Sequence, residues 1–189
     1  MKFQKNIWSN KNLIKVLQEN GVVVMPTDTI YGIVGKAQSE ETVNRIYSIR
    51  DRNPQKPCII LVGNIDELEK FSIVLSEKQK KTLQEYWPGP VSIILDCLDD
   101  KFEYLHRGTK TLSFRIPDSR MLRDLLLKVG PLVAPSANPE NFSPAKNIEE
   151  AKKYFWNSVD LYIDGGELKG KASKIIRLKN NGSIAIIRK

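Results

Sequence analysis

Cations crowd one short connection in this chain. Arg50-Asp51-Arg52-Asn53-Pro54-Gln55-Lys56-Pro57 sets three of them within seven residues. A helix end draws cations through its dipole, which accounts for one of them more easily than for all three. A phosphate clamp accounts for all: arginine offers planar bidentate contacts and lysine a point charge. Four further segments put polar groups where folding does not ask for them. In Met25-Pro26-Thr27-Asp28-Thr29-Ile30-Tyr31-Gly32, Pro26 ends a strand ladder and three short polar side chains follow. That cluster is either an ordinary Asx/ST turn or the rim of a site. Alternation in Thr111-Leu112-Ser113-Phe114-Arg115-Ile116 puts Thr111, Ser113 and Arg115 on one strand face. Arg115 is then either solvated or aimed into a pocket that takes a carboxylate. Pro131–Asn138 runs an apolar strand straight into Ser136 and Asn138, and strand ends are where α/β proteins place ligands. Gly165, Gly166 and Gly170, with Ser173, Lys174 and the closing Arg188, form either anion-binding backbone or plain turns.

The chemistry these groups could do is bounded by what is missing. No Walker, Rossmann or kinase motif occurs. His106 is the single histidine, so a Ser-His-Asp device would hang on that residue alone. Cys58 and Cys97 sit in apolar runs and read as buried thiols of a reducing compartment; no Cys/His spacing suggests a metal site. The net charge of +8 favours polyanions without separating a nucleotide pocket from an RNA surface.

The elements that must position these groups alternate along all 189 residues without repeat or linker, which predicts one domain over 1–189. Helices are expected over 11–20 (capped by Ser9 or Asn10 and ended by Gly21), 39–50, 121–128 and 148–156. Two more open at the capping-box patterns Asn64-x-x-Glu67 and Ser76-x-x-Gln79. Strands are expected over 22–25, 58–62, 91–95, 111–116, 131–134, 161–163, 174–178 and 184–187, forming a mixed sheet flanked by helices. No apolar run is long enough to span a membrane, and the basic N-terminus has no secretory apolar core, so a cytoplasmic protein is expected.

Taken together, PTDTIYG, RDRNPQKP, WPGP followed by VSIIL, FRIPD, APSAN and SPA (Ser143–Ala145) resemble the signatures of the YrdC/TsaC family, in the same order over about residues 11 to 188. The resemblance implies an open, twisted mixed α/β sheet around a large basic cavity. It implies a nucleotidyltransferase reaction joining L-threonine, bicarbonate or CO2, and ATP into threonylcarbamoyl-adenylate, with release of pyrophosphate, for threonylcarbamoyladenosine modification of tRNA. On this reading Thr29, Arg115 and Ser173 hold threonine. Arg52, Lys56, Thr111, Ser136, Asn138, Ser143 and Arg188 hold ATP, and Arg50 and Arg52 are the catalytic cations. ATP enters as a substrate with Mg2+, no cofactor is held tightly, and the product goes to a TsaD-type transferase complex. Weak tRNA or double-stranded RNA binding is a further expectation. Arg50 stands where the family usually has lysine, Asp51 replaces a small residue, Leu61 stands near a histidine of some members, and Ser173-Lys174 replaces Ser-Thr. The chemistry suits such a residue set. Attack of a carbamate oxygen on the α-phosphorus is limited by charge and positioning, so it calls for cations and hydroxyls and no covalent nucleophile. The alternatives are a non-catalytic RNA-binding module on the same basic concavity and a carbamoyl-transfer domain of the hydrogenase-maturation type.

Overall fold

A computed structural model describes residues 7–189, so part of the basic N-terminal stretch read above lies outside the described residues. The first helix, α1 (Lys11–Gln18), starts where Asn10 accepts hydrogen bonds from the Asn12 and Leu13 amides at 2.8 and 3.2 Å. Asn10 rather than Ser9 is therefore the cap. At its other end Asn20 takes the left-handed conformation (φ 64°) expected of Gly21. Gly21 is small for a different reason: a Cβ there would come within 2.5 Å of Val16 Cγ1.

Next comes a hairpin, β1 (Val23–Pro26) and β2 (Tyr31–Lys36), joined by a tight Thr27–Ile30 turn. No strand was expected over 31–36, because Gly32 and Gly35 interrupt its apolar residues and weaken its β signal. Gly35 is needed for packing: a Cβ would meet Thr42 Cγ2 at 2.4 Å, so α2 (Glu40–Ile49) could not sit so close to β2. Ser39 caps α2, and β3 (Ile59–Leu61) follows the cationic connection.

The Asn64/Glu67 pattern opens only a 3-10 helix, Asp66–Phe71. Asn64 accepts from the Glu67 amide, but Glu67 reaches back to the Gly63 amide instead of closing a reciprocal box. Ser76 and Gln79 do close one, and start α3 (Glu77–Tyr86). The remaining elements are β4 (Val91–Asp96), α4 (Glu103–His106), β5 (Thr111–Arg115), α5 (Arg120–Val129), β6 (Leu132–Val133), α6 (Ile148–Phe155), β7 (Leu161–Tyr162), β8 (Lys174–Leu178) and β9 (Ile184–Arg188). Only four residues long, α4 gave no periodic signal.

One mixed, unclosed sheet collects the strands in the order β7-β1-β2-β6-β3-β5-β4-β8-β9. The β1·β7, β3·β5 and β4·β8 pairs are parallel and the others antiparallel. Apolar cores lie on both sides. Val22 and Val24 join one, with α2, α3, α4 and α6; Val23 and Met25 join the other, with α1 and α5. The second core reaches only as far as β3. Beyond it, β5, β4 and β8 give Leu112, Phe114, Ile93, Leu95, Ile176 and Leu178 to the first core. Alternation turns Thr111, Ser113, Arg115, Ser92, Asp96 and Arg177 to the opposite face. Half of the sheet therefore carries a polar face beside the edge of the α1/α5 layer, and the site is there.

Candidate functional site

Geometry gathers most of the suspected residues around one cavity of about 150 Å3. The hairpin turn contributes Thr27 and Thr29, the cationic connection Arg52, β5 Arg115, the segment after β6 Ser136, the lead-in to β8 Ser173, and β9 Arg188. Leu61 lines it while packing on the α1/α5 core.

The turn holds its own shape. Thr27 Oγ1 donates to the Ile30 carbonyl at 2.7 Å and accepts from the Thr29 and Ile30 amides at 3.2 and 3.3 Å. It is both an ST-turn, as one of the two sequence readings had it, and part of the cavity wall. Arg115 is 3 % exposed. Its Nη1 donates to both oxygens of Asp28 at 2.8 Å, and Nη2 lies 3.4 Å from Thr29 Oγ1. Arg115 thus reads a carboxylate, and the one it holds belongs to its own chain.

Arg52 donates through Nε and Nη2 to the Lys56 and Pro57 carbonyls and lies 5.8 Å from the Tyr47 ring centroid. These contacts fold the connection around the guanidinium while leaving it on the cavity wall. Ser173 Oγ is 2.8 Å from the fully buried Ser92 Oγ, and its carbonyl accepts from Arg188 Nη2 and Nε at 2.6 and 3.2 Å. Burial pushes the Arg188 guanidinium pKa down.

Five suspected residues do not line this cavity. Arg50 is 2 % exposed and braces the fold: Nε donates to the Asn138 carbonyl at 2.8 Å, and Nη2 lies 3.4 Å from Ser136 Oγ. Burial, then the neighbouring Arg52 charge, push its pKa down to about 10. Asn138 uses its amide nitrogen on the Pro139 and Phe142 carbonyls. Lys56 pairs with Glu140, which also accepts from the Asn53 amide; the Lys56 hydrogen bond holds the Glu140 carboxyl below its ordinary range. Ser143 accepts at its carbonyl from the Tyr154 hydroxyl. Thr111 lies half-buried at the start of β5, Oγ1 3.1 Å from Thr109 Oγ1, on the same strand face as the buried Ser113 two positions on. Asp28, Ser92 and Glu140 went unassigned in the sequence reading. Each acts through a partner distant in the chain, which no local pattern carries.

The single histidine is fully buried on α4, its Nδ1 accepting from the Gly108 amide, away from the cavity. Both cysteines are free and buried. Among the described residues, no cluster of three or more His, Cys, Asp or Glu is placed to hold a metal ion, and no helix is long and apolar enough to cross a membrane.

The family profile described as "Telomere recombination", Sua5/YciO/YrdC, matches residues 15–189. The chain belongs to this family. A Bacillus subtilis relative named threonylcarbamoyl-AMP synthase is 31% identical over 80% of this chain, and a Hahella chejuensis relative of the same name is 28% identical over 96%. The chain spans 44% of the first relative and 98% of the second, so this family's members differ in what accompanies the shared part. Pyrococcus abyssi Sua5, solved with L-threonine, superposes with a TM-score of 0.82 at 26% identity over 91% of this chain and 51% of its own.

Proposed function

We propose that this chain is a threonylcarbamoyl-AMP synthase, a nucleotidyltransferase acting through residues 1–189 as one unit. The observation that carries the reading is the convergence of three arginines, Arg52, Arg115 and Arg188, with the hydroxyls of Thr29, Ser136 and Ser173 on one cavity. Such a lining fits a carboxylate and a phosphoryl group held side by side. The cavity's 150 Å3 is below the roughly 300–1,000 Å3 of drug-sized ligand sites. It suits threonine and the reacting phosphate, with the nucleoside extending out of the cavity toward Thr111.

In this arrangement Arg115 and Thr29 take the threonine carboxylate. The threonine amine combines with bicarbonate-derived CO2 to give a carbamate. A carbamate oxygen then attacks the α-phosphorus of ATP, and the bond to the pyrophosphate oxygen breaks. Arg52 and Arg188 offset the charge that grows on the phosphoryl oxygens. Mg2+ arrives as the counter-ion of ATP. Arg50 and Asn138 hold the Ser136 segment in place, and Lys56 exchanges Glu140 for phosphate when the nucleotide enters. The product is a mixed anhydride that hydrolyses in water, so direct delivery to a TsaD-type transferase complex fits its chemistry. The RNA-module alternative is not favoured, because a relative covered almost end to end is named as an enzyme.

The test is incubation with ATP, threonine and bicarbonate. Pyrophosphate should appear only when all three are present. Release of ADP and inorganic phosphate instead would overturn adenylation.

A further inference from the structure

Asp28 engages Arg115 in an unusual way. Both carboxylate oxygens take hydrogen bonds from one nitrogen, Nη1, each at 2.8 Å. The common fork arrangement spreads the two oxygens over two guanidinium nitrogens. Here that fork is left unused. Among the described residues no group accepts from Arg115 Nε, and Nη2 has only the 3.4 Å approach of Thr29 Oγ1. Both partners are nearly buried, with side chains 4% and 9% exposed. Asp28 is itself held: its Oδ2 accepts from the Asp118 amide at 3.0 Å. The carboxylate thus ties together the hairpin turn, the end of β5 and the loop that leads to α5.

From this geometry we infer that Asp28 is a positioning residue that holds Arg115 by Nη1 so that its Nε/Nη2 edge is presented to the threonine carboxylate. The inference deepens the synthase reading and rests on it. A guanidinium held only by its aliphatic stem could rotate and offer any pair of nitrogens. Occupation of Nη1 leaves one edge free, and that edge has the spacing of two carboxylate oxygens. The neighbouring negative charge also offsets part of the cost of burying a cation before substrate arrives, since an unpaired buried charge is strongly disfavoured. Asp28 holds Arg115 without itself lining the cavity, so its effect on threonine must pass through the arginine.

The experiment is a double-variant cycle on the full chain with steady-state KM for threonine and for ATP. Asp28→Asn removes the charge at constant shape. It should raise the threonine KM by about tenfold or more, with the ATP KM within about twofold. In an Arg115→Lys background the same change should add less than about threefold, because the fork it positions is already gone. Equal effects on both substrates, or effects that multiply in the double variant, overturn the inference. Should Asp28→Asn not fold, Asp28→Glu is measured by calorimetry with threonine. Its carboxylate is kept but set one methylene further out, and threonine binding should weaken at least about threefold; unchanged binding overturns the inference. A wild-type chain that binds no threonine defeats the synthase reading itself, whatever the variants do.

Discussion

Replacing Arg115 by lysine separates charge from geometry at the centre of the site. Arginine serves two partners at once: Nη1 holds Asp28, and Nε and Nη2 remain for a ligand. Lysine has one nitrogen. Buried beside Asp28, it pairs with that carboxylate, and the ion pair that keeps the fold intact survives. What is lost is the second, ligand-facing contact. A hydrogen bond to a charged partner contributes about 1.5–3 kcal/mol. At about 1.4 kcal/mol per factor of ten, that is roughly a 10- to 150-fold weakening of threonine. Calorimetric titration of threonine, together with steady-state KM for both substrates, measures it, since KM tracks binding only when chemistry is slow. The melting temperature should stay close to wild type. A lysine variant with weaker ATP binding and unchanged threonine binding would show that Arg115 faces the phosphates, and the assignment of the two ends of the cavity would be reversed.

The two arginines of the cationic connection should part company. Arg52→Ala should lower kcat/KM by at least about tenfold with the fold retained, because its guanidinium lines the cavity. Arg50→Ala should destabilise the protein by about 1–3 kcal/mol through the orphaned Asn138 carbonyl, read as a lowered denaturation midpoint. Gly170→Ala places a Cβ against the Thr29 carbonyl oxygen, backbone against backbone, so it should displace the Thr29 turn and raise the threonine KM, whereas Gly108→Ala, which has open space but a left-handed φ of 82°, should lower stability and leave the threonine KM unchanged. Asp160, whose carboxyl is held below its ordinary pKa chiefly by the Arg45 hydrogen bonds, contributes stability that is full above the unfolded carboxylate pKa and lost as pH falls through its lowered folded value. Asp160→Asn should therefore flatten the acid limb of a melting-temperature-against-pH profile; an unchanged limb would place the acid sensitivity elsewhere.

Helix starts were legible because caps are local: Asn10, Ser39 and Ser76 each bond amides two or three residues ahead. The β5 face was legible because the period of two is local as well, and Arg115 does share a face with Thr111 and Ser113. β2 was not, since Gly35 owes its place to the close approach of α2, and sequence alone shows only the loss of strand propensity at Gly32 and Gly35. The same limit divided the cationic connection. Arg50, Arg52 and Lys56 look alike in sequence, yet one is buried as a brace, one lines the cavity and one is paired with Glu140, 84 residues away.

That division shows how the fold makes the site. A residue on the sheet half covered by both helical layers would have to be apolar, as Val23, Val24 and Met25 are. Beyond β3 the α1/α5 layer no longer packs on the second face, so that face carries threonine, serine and arginine, with Ser92, Ser113 and Arg115 buried there under other parts of the chain. The cations at the boundary between the two halves, of which Arg115 is buried, are then held by fixed partners. Arg115 has Asp28, Arg188 has the Ser173 carbonyl, and Arg52 has the Lys56 and Pro57 carbonyls. Each partner takes part of the guanidinium. The cavity is preorganised to the extent that these internal contacts direct the remaining N–H groups before substrate binds, which is where electrostatic catalysis gains its advantage over water.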